Sequence, residues 1–99
     1  MKTLLFGVVM QLNTWCMAKP SARDADLQNS VEYMCKFVDC GIIQPGGKCF
    51  YPNMLISHAS VAMNICYATM GGEEHNCDFS NSALISDTDP SMNHQIVSY

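Results

Sequence analysis

The sequence predicts a small α+β domain: two main helices with a little strand, stapled by disulfides into one unit. Three observations carry this. Six cysteines fall in a chain of 99 residues. Two apolar stripes recur at helical spacing, and a short β-prone run follows them. A composition of 48% hydrophobic and 14% charged residues is too apolar for a disordered chain.

The chain opens with Met1-Lys2, then Leu4, Leu5, Phe6, Val8, Val9 and Met10, a basic start with an apolar run behind it. The run is short and no small-x-small cleavage site precedes Trp15. Residues 1–14 therefore read as a short, clipped or divergent secretion signal, in preference to a simple extension. Trp15-Cys16 follows, then Lys19-Pro20-Ser21, a turn that cannot lie inside a helix. Ser21 and Asp24 resemble a capping box. Leu27, Val31, Met34 and Cys35 then recur at helical spacing, so an amphipathic helix is expected from about Ala22 to Lys36.

From Asp39 to Asn53 the chain holds Gly41, Pro45, Gly46, Gly47 and Pro52, an irregular loop that carries Cys40 and Cys49. Asn53 is the expected cap of a second helix. Its apolar face runs Leu55/Ile56, Ala59, Ala62/Met63, Cys66/Tyr67 and Met70, and Gly71-Gly72 ends it. Cys77-Asp78-Phe79 leads through Asn81 to the β-prone run Ala83-Leu84-Ile85, closed by Asp89-Pro90.

Several functions are excluded or disfavoured at this point. A formal net charge of −4 with no basic run excludes a phosphate-neutralising surface for nucleic acid. No apolar stretch reaches the ~20 residues of a membrane span. No two cysteines form a C-x-x-C knuckle, and His58, His75 and His94 do not pair at ligand spacing. No metal is expected, and no other cofactor. Disulfides fit better, because a domain this small buries only about 60% of its unfolded surface and needs covalent help. They imply an oxidising compartment. The carboxylates sit at helix starts and in polar loops, so the crossed acid pair of a glycosidase is not expected. Gly46-Gly47 is a turn and not a phosphate cradle, since no Lys-Ser/Thr follows it.

Trp15-Cys16, Cys35, Asp39-Cys40, Ile43-Gln44-Pro45-Gly46-Gly47, Cys49-Phe50, Pro52-Asn53, His58-Ala59-Ser60, Ala62-Met63-Asn64, Cys77-Asp78-Phe79 and Thr88-Asp89-Pro90 together resemble one plant family. That family is carbohydrate-binding module family 43, the X-eight domain of endo-β-1,3-glucanase C-termini, callose-binding proteins and small pollen proteins. The likeness covers about Trp15 to Ser91. It implies a non-catalytic module, spanning 15–92 with a divergent tail at 93–99, that binds β-1,3-glucan in the cell wall as a monomer. Its implied fold is two helices packed with a small antiparallel sheet and three disulfides.

Carried over from the family, the pairings are Cys16–Cys77 and Cys40–Cys49. The family's last cysteine has no counterpart here, for Ser91 to Tyr99 hold none. Cys35 would then lack its partner, and Cys35 and Cys66 either bridge the helices or stay as buried thiols. No hydrophobic tail follows Pro90, so the lipid anchor of some relatives is not expected. The altered tail also motivates an alternative: a small secreted disulfide protein that acts by protein contact, with glycan binding lost.

A sugar offers an apolar face of C–H groups and a rim of hydroxyls, which call for an exposed aromatic plane with amides or carboxylates beside it. Tyr51, in a Pro-flanked loop, is the first candidate for stacking, with Tyr67 and Trp15 behind it. Gln44, Asn64 and Asp78 are the candidate hydroxyl partners. Each has a structural role to weigh against this: Trp15 packing over Cys16–Cys77, Gln44 bracing its loop. His58 is expected to bond a neighbouring loop, and Phe50 and Phe79, beside cysteines, to be buried. Tyr33 should pack at the edge of the first helix with its hydroxyl wet.

Overall fold

The computed structural model describes residues 13–88, so most of the expected leader and all of the expected tail lie outside the described residues. Strand β1 (Trp15–Ala18) is followed by helix α1 (Asp24–Met34), helix α2 (Leu55–Thr69) and strand β2 (Ala83–Ser86). Single 3-10 turns at Gly41–Ile43 and Glu74–Asn76 punctuate the long loops. The two strands pair antiparallel, Trp15 opposite Ser86 and Ala18 opposite Ala83.

Helix α1 starts later than the expected Ala22. Lys19 to Ala22 close a turn of their own, in which the Ala22 N–H donates to the Lys19 carbonyl at 3.0 Å. That leaves Arg23, not Ser21, at the cap, with no side-chain bond made there. Asp24 and Asp26 in the first turn instead complement the helix dipole. Leu27 and Met34 bury the inner face, and Val31 packs beside them. The helix ends where the Phe37 and Val38 N–H groups both fold back onto the Met34 carbonyl.

Helix α2 is the centre of the molecule. Its cap is Met54 rather than the expected Asn53. Ala59, Ser60, Val61, Ala62 and Met63 are all buried, a run far wider than one amphipathic stripe. Such a helix must be covered on several sides, and it packs against both α1 and β1. Gly71 and Gly72, at φ of 93° and 72°, end it in the left-handed region.

β1 was the element the sequence hid: it is four residues long and three in a row are buried, so it has no polar alternation. One edge of β1 pairs with β2. On the other edge, the Cys16 N–H donates to Asn64 Oδ1 and the Ala18 N–H to Ser60 Oγ, each at 3.0 Å. One turn further along α2, the hydroxyls of Tyr67 and Thr14 share a bond of 2.6 Å. The spacing explains the fit. Four residues of helix rise about 6 Å and two residues of strand about 6.8 Å. Side chains at 60 and 64 therefore meet N–H groups at 18 and 16 in register, and α2 serves as a substitute strand.

Two disulfides lock this arrangement. Cys16–Cys77 ties β1 to the turn before β2 and closes a separation of 61 residues. Cys35–Cys40 closes a separation of only 5. By loop-closure entropy the long bridge is worth roughly 4 kcal/mol and the short one about 2. The Cys40–Cys49 pairing implied by the resemblance is not formed, and Cys35 does not lack a partner. The turn after α1 brings the Cys35 and Cys40 Cα atoms to 5.6 Å, within bridging range. Cys49 is instead carried into the core, and the free thiols are Cys49 and Cys66.

Gly47 marks the tightest approach in the 39–53 loop. A Cβ there would collide with the carbonyl oxygens of Gly41 and Ile42. Gly47→Ala is expected to cost about 1–3 kcal/mol in urea unfolding, the scale of an overpacked site. Asn64→Ala leaves a buried N–H on Cys16 without its acceptor and should cost about 1–3 kcal/mol by the same measurement. A neutral result for Asn64→Ala would refute the substitute-strand role.

Candidate functional site

Asp26, Asn29, Ser30 and Tyr33 share one face of α1 at spacing i, i+3/i+4, i+7, with Phe37 just past its end. They form one wall of a groove of about 790 Å³. The last turn of α2 gives the second wall through Cys66, Thr69 and Met70, and the turn around Asp78-Phe79-Ser80 gives the third. This volume lies within the range of small-molecule binding sites.

The apolar surface is aromatic. Tyr33 is 60% exposed and Phe37 69%, large rings left in water. Their centroids lie 5.1 Å apart at 61°, an edge-to-face pair in which each ring fixes the other. Around them the polar groups are mostly neutral: Asn29, Ser30, Asn76 and Ser80. Asp26 is held by Arg23, whose Nε donates at 3.0 Å and Nη2 at 3.4 Å. Among the described residues, no Lys or Arg lines the groove. Exposed rings among neutral hydrogen-bonding groups suit an uncharged, hydroxyl-rich ligand better than an anion.

The third wall is strained. Phe79, Ser80 and Asn81 sit successively at φ of 48°, 58° and 64°. For residues with a Cβ that region costs about 1–2 kcal/mol each. Bonds on both sides sustain it. The Ser82 and Ala83 N–H groups donate to the Asp78 carbonyl at 2.9 and 3.1 Å. The Asn81 N–H donates to Asp78 Oδ2 at 3.2 Å, and Lys19 Nζ donates to Asn81 Oδ1 at 2.6 Å. Lys19 follows β1 directly, so the sheet braces the groove wall.

Of the residues expected from the sequence to hold a ligand, only Asp78 lines this groove. Tyr67 is 1% exposed, so its ring offers no face to stack on, and Asn64 is committed to the Cys16 N–H. Trp15 is half-buried on β1. Tyr51 and Gln44 are exposed but lie on the 39–53 loop, which contributes nothing to the groove. His58 bonds a loop as expected, its Nε2–H donating to the Phe50 carbonyl at 2.7 Å. Phe50 and Phe79 are half-buried rather than buried. Sequence reasoning missed Tyr33 and Phe37 as a site. Their signal was an i, i+4 aromatic pair at the end of the first helix, Tyr33 in its last turn and Phe37 just past it.

Cys66 is the thiol on this surface, while Cys49 is buried elsewhere. Burial pushes both thiols above the ordinary range, with the nearby Lys48 partly offsetting the effect at Cys49.

Comparison with known proteins adds three relatives and a family. The X8 domain family model matches residues 14–84. A glucan endo-1,3-beta-glucosidase of Triticum aestivum is 48% identical over 77 residues, 78% of this chain and 17% of that protein. The major pollen allergen Ole e 10 of Olea europaea is 46% identical over 79 residues, 78% of this chain and 64% of the allergen. The plasmodesmata callose-binding protein 5 of Arabidopsis thaliana is 39% identical over 88 residues, 87% of this chain and 49% of its own length. The chain thus spans less than two thirds of each of these relatives.

Two outcomes test this description. Ser80→Gly removes the Cβ from a left-handed position on an exposed residue, and should raise stability by about 0.5–1 kcal/mol. Because the folded thiols titrate above the unfolded ones, their contribution to stability is complete below about pH 8.5 and is lost as pH rises through the folded values. Urea midpoints of the Cys49→Ser/Cys66→Ser double variant should therefore fall less between pH 8 and 10 than those of the parent.

Proposed function

The chain belongs to the X8 domain family, and on that premise we propose that it is a non-catalytic module that binds β-1,3-glucan of the callose or laminarin type. The setting is extracellular, in the plant cell wall and at plasmodesmata. The observation that carries the reading is the exposed Tyr33–Phe37 pair beside a groove whose polar groups are mostly neutral. In this reading the rings stack on the apolar faces of glucosyl units while Asn29, Asn76 and Asp78 take hydroxyls. Asp78 is the member of the sequence-derived set retained at this groove.

Two further features support it. The Cys16–Cys77 and Cys35–Cys40 bridges suit an oxidising compartment. Asp26 is engaged by Arg23 and Asp78 by the Asn81 N–H, so neither carboxylate stands as a free acid or base poised over a scissile bond. The glucosidase named among the relatives is several times longer than the shared segment, and its activity is not transferred to this one. The binding unit is proposed to span 15–92, as a monomer whose wall retention relies on many weak sites along a polymer.

Laminarin titrated into the oxidised protein should slow alkylation of Cys66 by a maleimide, because a chain seated between α1 and α2 covers that thiol. Tyr33→Ala and Phe37→Ala should each weaken laminarin binding about tenfold, equivalent to about 1.4 kcal/mol. Alkylation unaffected by saturating laminarin would overturn the assignment of the groove.

A further inference from the structure

At the other end of α2 stands a second aromatic surface. Tyr51 is the most exposed large apolar side chain among the described residues, at 73%. It is also held in place. The Phe50 ring meets it edge-on at 4.9 Å and 80°, and Phe50 lies on the His58 ring at 5.4 Å. The His58 Nε2–H donates to the Phe50 carbonyl, anchoring the stack to α2. The loop behind it is pinned by the Cys49 N–H on the Ile42 carbonyl at 2.8 Å. Packed edge-on against Phe50, so exposed a ring has less side-chain freedom to lose at binding, which lowers the cost of recognition.

The charge around this surface selects the occupant. Exposed Gln44 and Asn53 of the same 39–53 loop are neutral amides, and its exposed charges, Asp39 and Lys48, are one of each sign. That is the complement of a neutral polyhydroxyl chain, and it repeats the aromatic-plus-amide composition of the groove. The two surfaces share no residue. Met54, at 45% exposure, stands beside one and Met70, at 54%, beside the other. The 16-residue step from Met54 to Met70 places the surfaces about 24 Å apart along the helix axis.

We infer that Tyr51, with Gln44 and Asn53, forms a second β-1,3-glucan contact site, so that one module grips two chain segments. The inference rests on the glucan reading of the groove. Two sites about 24 Å apart can engage separate polymer chains and cross-link them, or hold one long chain with an avidity that neither site reaches alone.

The test is an amide-resolved NMR titration of the oxidised protein with laminarihexaose, repeated on Tyr51→Ala and Tyr51→Ser. Two separate sets of shifts are expected, one around Tyr33, Phe37 and Cys66, the other around Gln44, Phe50 and Tyr51. In either variant the second set should disappear, with the first unchanged and the fold intact by its unperturbed core resonances. With long laminarin, the parent should raise light scattering at substoichiometric ratios and the variants should not. Shifts confined to the groove overturn the second site and leave the glucan reading standing. Shifts in neither region overturn both.

Discussion

The fold depends on how β1 satisfies its backbone. A two-stranded sheet is marginal by itself, and a four-residue strand with one unpaired edge would leave buried N–H groups without acceptors. Here Ser60 and Asn64 of α2 accept the N–H groups of Ala18 and Cys16, and Tyr67 reaches the Thr14 hydroxyl. A helix does the work of a third strand because its four-residue rise nearly matches two residues of extended chain. The Cys16–Cys77 bridge ties the same strand to the turn before β2. Once β1 is placed, β2 has its partner, Lys19 reaches Asn81, and the left-handed turn that walls the groove is held. The path from core to surface is therefore short: the polar ladder sets the strand, the strand braces the turn, and the turn shapes the site.

This economy explains where the strain sits. Three successive left-handed residues at Phe79 to Asn81 are costly in a chain of this size, whose net stability is a small difference of large terms. Backbone held in such a region tends to lie where function requires a fixed shape. Phe79 and Ser80 of this segment and Asp78 before it line the groove, while the core is filled by buried side chains such as Leu27, Met34 and Met63. Rigidity of this kind suits a passive binder, which gains affinity by having little left to order when its ligand arrives.

Much of the fold was legible in the sequence. Both helices, the loop between them and β2 follow from periodicity and from Gly and Pro punctuation, with ends displaced by a few residues. β1 was not, because Cys16 to Ala18 are all buried and show no alternation. The disulfide between Cys35 and Cys40 was also misread. A family rule assigned by cysteine order cannot sense that the turn after Met34 brings these two together. The site was less legible than the fold. Asn64 and Tyr67 have the right chemistry for a sugar, yet backbone and side-chain partners inside the molecule claim their polar atoms. Tyr33 and Phe37 were visible only as an i, i+4 pair at the end of the first helix, a pattern that reads as surface until a second wall is known to stand opposite.

A cross-linked scaffold that presents a preformed glucan groove is the core of the account, and calorimetric titration of laminarin into oxidised and fully reduced protein tests it most directly. The oxidised form should bind with saturable heat, and reduction of Cys16–Cys77 and Cys35–Cys40 should abolish that heat as the groove walls come apart. Equal binding by the reduced form, or no heat from the oxidised form at any laminarin concentration, would contradict it.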